Sequence, residues 1–229
     1  MTVSAHETSR AGRGFRIDLK TAGPLLALIL LCILGYVLNP LFIGEGNITN
    51  LLTRSAFIGI IAVGATFVIT AGGIDLSVGS MAAFIAGVMI IVMNWAIGSM
   101  GASVWTVVLG IGCSLILGIG AGFINGFLTT KAKIEAFIVT LGTMGIYRSL
   151  ITYFANGGTL SLDSDARDIY RPVYYDSIIG IPIPVWVFIF VAIIGWVLMN
   201  RTAFGRYCMA IGSNEHVARY SAIKVDRVR

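Results

Sequence analysis

A chain of 229 residues that is 57% hydrophobic and only 12% charged, with a mean hydropathy of +0.89, is too apolar for a water-soluble domain and needs lipid as its solvent. The net charge of +5 does not point to nucleic acid, because the basic residues fall in the gaps between apolar runs and form no stripe. Those runs lack the strict alternation of a membrane barrel, and 28 glycines suit closely packed membrane helices, so the fold class is an all-α, polytopic transmembrane helical bundle.

Residues 1–21 form a basic segment carrying Arg10, Arg13, Arg16 and Lys20, read as cytoplasmic. The apolar run at 22–38 ends in Asn39-Pro40-Leu41-Phe42 with no small-x-small cleavage site, so it is read as an uncleaved first span and not as a signal peptide. Five more spans are expected at 55–71, 76–95, 104–130, 136–155 and 184–200, giving six in a domain from 22 to 200 with both chain ends cytoplasmic. The run at 104–130 is longer than a bilayer requires and must tilt, break or emerge from it. It also sets Gly110, Ser114, Gly118, Gly122 and Gly126 four residues apart, a face of small residues on which another helix is expected to pack.

Sidedness follows from Lys and Arg, which are retained on the cytoplasmic side. In the six-span arrangement twelve of the sixteen fall inside, while Arg54, Arg167 and Arg171 fall outside and Arg148 lies within the fifth span. An Arg at that depth faces protein or water, so Arg148 is a candidate for the solute path or for a helix anchor. The external stretch 156–176, with Asp163, Asp165, Asp168 and Asp176 beside Tyr170, Tyr174 and Tyr175, is either a plain solvated loop or a docking surface.

Between the second and third spans, Gly72-Gly73-Ile74-Asp75-Leu76-Ser77-Val78-Gly79 describes a sharp break and a helix restart, with Asp75 or Ser77 available to cap exposed N–H groups. From the residues alone, a tight turn at the cytoplasmic surface is favoured over a functional element. The wording nevertheless resembles the signature of the ribose-type sugar permeases of ATP-binding-cassette (ABC) importers. Gly122-Phe123-Ile124-Asn125-Gly126 with the basic 130–134 segment, Phe137-Ile138-Val139-Thr140-Leu141-Gly142-Thr143-Met144 with Tyr147-Arg148, and the block 202–227 are similar to further segments of that family, in the same order.

The resemblance implies a permease subunit that moves a sugar across the bacterial inner membrane. Its partners would be ABC ATPase subunits, a second permease copy or a paralogue, an extracytoplasmic sugar-binding protein and the surrounding lipids. It implies that residues 201–229 are a cytoplasmic region gripped by the ATPase, with Gly205, Ala210, Gly212, Asn214, Glu215, Ala218 and Arg219 as coupling residues and a short helix near 214–221. Asn125, Phe137, Tyr147 and Arg148 are the candidate solute-path residues, suited to a neutral, hydroxylated solute.

Two features depart from the family pattern: Glu135-Ala136 stands where relatives have proline, and relatives continue through further spans beyond the position of Arg229, so a chain truncated at its C-terminus is expected. His6, His216 and the three cysteines show no ligand spacing, so no metal site is expected. There is no Gly-x-x-x-x-Gly-Lys-Ser/Thr loop, so ATP and Mg belong on the partner and the chain carries neither a cofactor nor an enzymatic activity of its own. The competing readings are an ion-coupled secondary transporter, which would place ionisable residues at mid-membrane, and a non-transporting truncated membrane protein.

Overall fold

The computed structural model describes residues 19–228, with side chains from residue 22 onward, so Arg10, Arg13, Arg16, Arg229 and His6 lie outside the described residues. Two compact units divide at Asn50 and Leu51.

In the first unit, α1 (Leu19–Leu38) contains the apolar stretch Ala22–Leu38, and Asn39-Pro40 follows directly after it. Asn39 accepts a hydrogen bond from the Leu41 amide (3.0 Å) and so caps a 3-10 turn, Pro40–Ile43, whose proline needs no donor there. Asn47 donates to the Phe42 carbonyl (2.7 Å), and the Phe42 ring lies 3.1 Å from where a Cβ on Gly35 would sit.

Helix α2 (Glu45–Thr70) begins ten residues before the expected 55. Apolarity marks the part of a helix that lipid can cover, and the polar turn at Glu45, Asn47 and Asn50 is helix that lies ahead of that part.

The second unit runs on from Leu51 through α3 (Val78–Met100), α4 (Val104–Thr130), α5 (Ala136–Phe154), α6 (Ser164–Tyr175), a two-residue hairpin of β1 (Ser177–Ile178) and β2 (Ile181–Pro182), and α7 (Ile183–Arg201). Three short helices follow: α8 (Ala203–Ser213), α9 (Glu215–Tyr220) and α10 (Val225–Val228). Among the described residues, α2, α3, α4, α5 and α7 are long and apolar enough to cross a membrane, five in place of the six expected, while the apolar part of α1 is shorter. Leu115, Ile116, Ile119 and Phe123 on α4 stay exposed, as side chains facing lipid do.

Helices α3, α4 and α5 form the packed centre. A Cβ on Gly110 would stand 2.6 Å from Met93 Cγ, so glycine lets α4 close on α3 there, whereas one on Gly118 would make ordinary contact with Ile85 Cδ1 at 3.5 Å. At Gly122 the same face opens, with nothing within 4 Å. On the other side of α3, Gly87 admits Ile151, and Phe84 stacks on Tyr147 with centroids 5.6 Å apart.

The stretch 156–176 is not a plain loop, because residues 164–175 are helical. Ala166 is fully buried in a cluster with Met93 and Val107, joined by Ile169, Tyr170 and Val173 from the same face of α6. Asn94 fastens the approach to α6, donating to the Ser161 carbonyl (2.9 Å) and accepting from the Asp163 amide (3.0 Å).

Candidate functional site

Helix α2 ends where Gly72 turns with φ +78°, a conformation that glycine adopts without strain. The Gly72 and Gly73 amides donate to the Ile69 and Val68 carbonyls (3.0 and 2.9 Å), closing the helix end. Asp75 then organises the restart, its Oδ1 accepting from both the Ser77 amide (2.8 Å) and the Ser77 hydroxyl (2.7 Å). Ser77 stands at the N-cap of α3 without capping it through its side chain. Of the two capping candidates, only Asp75 makes such a bond.

The break is also held from outside. Ser77 is fully buried, and its hydroxyl accepts from Asn125 Nδ2 on α4 (3.0 Å). Thr140 on α5 directs its hydroxyl to the Ala136 carbonyl (2.8 Å) and lies 3.4 Å from the Ile74 carbonyl within the break. A free surface turn would leave these groups to water, whereas here two neighbouring helices grip the turn.

The family-like C-terminal block folds as three helices in place of the single one expected near 214–221. Thr202 accepts from the Gly205 amide at the start of α8, and Asn214 accepts from the Val217 amide (3.1 Å) at the start of α9. The second cap accounts for the break at Asn214, which ends one helix and begins the next. Ile211, Ala218 and Val225 form a buried apolar cluster with Ala210 packed against it.

Two glycines of this block meet main chain directly. A methyl on Gly205 would overlap the Met199 carbonyl, and one on Gly212 would overlap the carbonyl of Thr70 at the very end of α2. Phe67 and Phe204 extend that contact with ring centroids 5.7 Å apart. Burial pushes the Cys208 thiol up, so it is a packing group and a poor nucleophile.

Arg219 ties α9 to α10. Its Nε and Nη2 donate to Glu215 Oε1 (3.1 and 2.9 Å), and Nη2 also donates to Asp226 Oδ1 (3.1 Å). The hydrogen bond to Glu215, followed by that to Asp226, raises the guanidinium pKa further.

A cavity of about 840 Å³ joins these parts, lined by Gly72, Gly73, Asp75, Gly122, Asn125, Gly126 and Phe137 together with Glu215, Arg219 and Asp226. Residues from the signature turn, the Asn-Gly segment and the C-terminal block, far apart in sequence, therefore share one surface. Tyr147 lies elsewhere, buried against Phe84. Arg148 is exposed and lines a separate cavity with Ser149, Thr152 and Asn156, so the structure divides the candidate solute-path residues among three places.

Thr129, Thr130, Lys133, Thr140 and Asp226 also line the larger cavity and were not singled out from sequence. The signal available was that Thr130, Lys133, Thr140 and Asp226 lie within the family-like segments, Asp226 also being an acid placed seven residues after Arg219. Among the described residues, no group of three or more His, Cys, Asp or Glu is arranged to hold a metal ion.

Comparison with known proteins adds an independent line. The family described as branched-chain amino acid transport system / permease component matches residues 47–229. The ribose import permease protein RbsC of Haemophilus influenzae is 34% identical over 205 residues, covering 89% of this chain and 61% of the relative. RbsC of Bacillus subtilis is 39% identical over 213 residues, with 90% and 62% covered. The autoinducer 2 import system permease protein LsrC of Yersinia enterocolitica is 31% identical over 209 residues, with 90% and 54% covered. The chain thus spans about three fifths or less of the length of these curated relatives, and no solved structure matches it.

Proposed function

The chain belongs to the family of branched-chain amino acid transport system permease components, and on that premise we propose that it is a multi-pass membrane permease subunit of an ABC importer for a sugar. The relatives named above are ribose and autoinducer 2 import permeases, which favours a hydroxylated solute over an amino acid. Partner ATPases supply the energy, an extracytoplasmic binding protein delivers the solute, and a second permease subunit completes the pathway.

The observation that carries this reading is the contact of Gly212 with the Thr70 carbonyl, because it puts α8 on the end of α2, two residues ahead of the Gly72-Gly73 break. A push on α8 and α9 by a partner is delivered to α2 as a rigid-body movement, and the glycine break is where the backbone can absorb it. The cavity between these elements changes shape when they move.

The test is reconstitution of the full chain in liposomes with the ABC ATPase subunits and the sugar-binding protein of its transport system. Labelled ribose should accumulate only with ATP inside the compartment that holds the ATPase. Accumulation that persists without ATP and follows an imposed ion gradient would instead establish an ion-coupled carrier.

A further inference from the structure

The side chain of Asn125 is 6% exposed, and its Oδ1 has no hydrogen-bond donor. The orientation of this amide is set by its neighbours. The Ser77 proton is committed to Asp75, so Ser77 can only accept, and Asn125 must present its NH₂ to Ser77 and its oxygen away from it. A buried carbonyl oxygen without a donor is costly, and because Asn125 lines the cavity while its Oδ1 is closed to solvent in this arrangement, a donor reaches it and recovers that cost as the lining helices move.

The neighbouring hydroxyls have the same polarity. Thr129 donates to the Asn125 and Gly126 carbonyls (3.0 Å each), Thr130 to the Gly126 carbonyl (2.7 Å) and Thr140 to the Ala136 carbonyl (2.8 Å). With their protons held by their own helices, these threonines have only lone pairs to offer a ligand. Ala136 and Phe137, whose amides open α5 without an intrahelical acceptor, border the same cavity.

Resting on the permease reading above, we propose that Asn125, Thr129, Thr130 and Thr140 form an acceptor wall that selects a solute by its hydroxyl donors. A neutral polyol fits, because each O–H donates to the wall while its oxygen receives from the α5 amides. A carboxylate without hydroxyls fits poorly, since it has nothing to donate and the cavity's acids, Asp75, Glu135, Glu215 and Asp226, outnumber its bases, Lys133 and Arg219. The bond from Asn125 to Ser77 keeps the acceptor in place as the α2–α3 break moves.

The test is protection of a reporter thiol in the full chain, held in lipid nanodiscs without partners. Gly122 borders the cavity with nothing within 4 Å of its Cβ position, so Gly122→Cys adds a thiol without a clash. Ribose should slow modification of that thiol by a small methanethiosulfonate at least about threefold once it exceeds twice its Kd. Fully O-methylated ribose, which keeps the oxygens and loses the donors, should not. Thr129→Val and Asn125→Leu, each added to the reporter chain, should weaken protection, and Thr129→Val decides the matter if Asn125→Leu fails to insert. Absence of protection by ribose, equal protection by the methyl ether, or undiminished protection in the Thr129→Val chain each overturns the acceptor wall. Because this readout needs neither ATP nor partners, it fails separately from the permease reading, which stands or falls on ATP-dependent uptake.

Discussion

At Gly212 the backbone of α8 meets the Thr70 carbonyl so closely that the smallest added side chain would overlap it. Main chain cannot rotate aside as a side chain can, so Gly212→Ala must lift α8 from α2 at a cost of about 1–3 kcal/mol, typical of overpacking. ATPase subunits should still bind the Gly212→Ala chain through α9, while ATP hydrolysis no longer drives uptake. Measuring hydrolysis and uptake on the same vesicles separates the two, and a variant that keeps them coupled would remove Gly212 from the transmission path. The importance of Gly212 was visible in sequence only through the family-like block around it. Its partner lies well over a hundred residues earlier, and no local pattern reveals that a glycine is needed for a backbone contact. The same limit applies to Ser77 and Asn125, which the sequence placed in separate motifs and the fold joins by a 3.0 Å hydrogen bond. The cavity threonines were missed because a threonine in an apolar helix carries no sign of which way its hydroxyl is directed.

At the scale of elements, the long helices were readable because lipid demands unbroken apolar runs, and α3, α4, α5 and α7 fall close to their expected places. Their ends were less readable, since helical hydrogen bonding continues where apolarity stops, as at the start of α2. Helix α6 was missed for a different reason. Its two aspartates and two arginines suggested solvent, and the apolar spacing of Ala166, Ile169, Tyr170 and Val173 that seats it against α3 and α4 is only one face of a mixed segment. That seating gives it a pH dependence. Burial raises the Tyr170 phenol above its ordinary value, so the docked helix holds the proton more tightly than an undocked one. Stability from this group is complete below about pH 10 and is lost as pH climbs through the raised value. Helix α6 should therefore loosen in strong alkali, and Tyr170→Phe should remove that part of the transition, as followed by phenolate absorbance and by protease access to the 156–176 stretch. An alkaline transition that is identical in Tyr170→Phe would mean that α6 is held without regard to Tyr170.

For the whole molecule, the arrangement within the second unit turns charge bias into a statement about sides. The ends of α2 and α4 meet the start of α5 at the larger cavity together with α8, α9 and α10, so Lys131, Lys133, Arg206, Arg219, Lys224 and Arg227 gather at one end of the bundle. At the other end, α6 caps α3 and α4 and carries Arg167 and Arg171 among acidic neighbours, with Arg54 on the corresponding part of α2. Because Lys and Arg near span ends are retained in the cytoplasm, we propose that the cavity and the three short helices lie inside and α6 outside. Tyr175 and Tyr220 are exposed positions at the two ends and make suitable reporters. In right-side-out vesicles a membrane-impermeant maleimide should add label to Tyr175→Cys beyond the background of the native cysteines, and to Tyr220→Cys only after permeabilisation. The reverse pattern would put the cavity on the outer face, where no cytoplasmic ATPase reaches it, and the coupling role of α8 and α9 would fall with it.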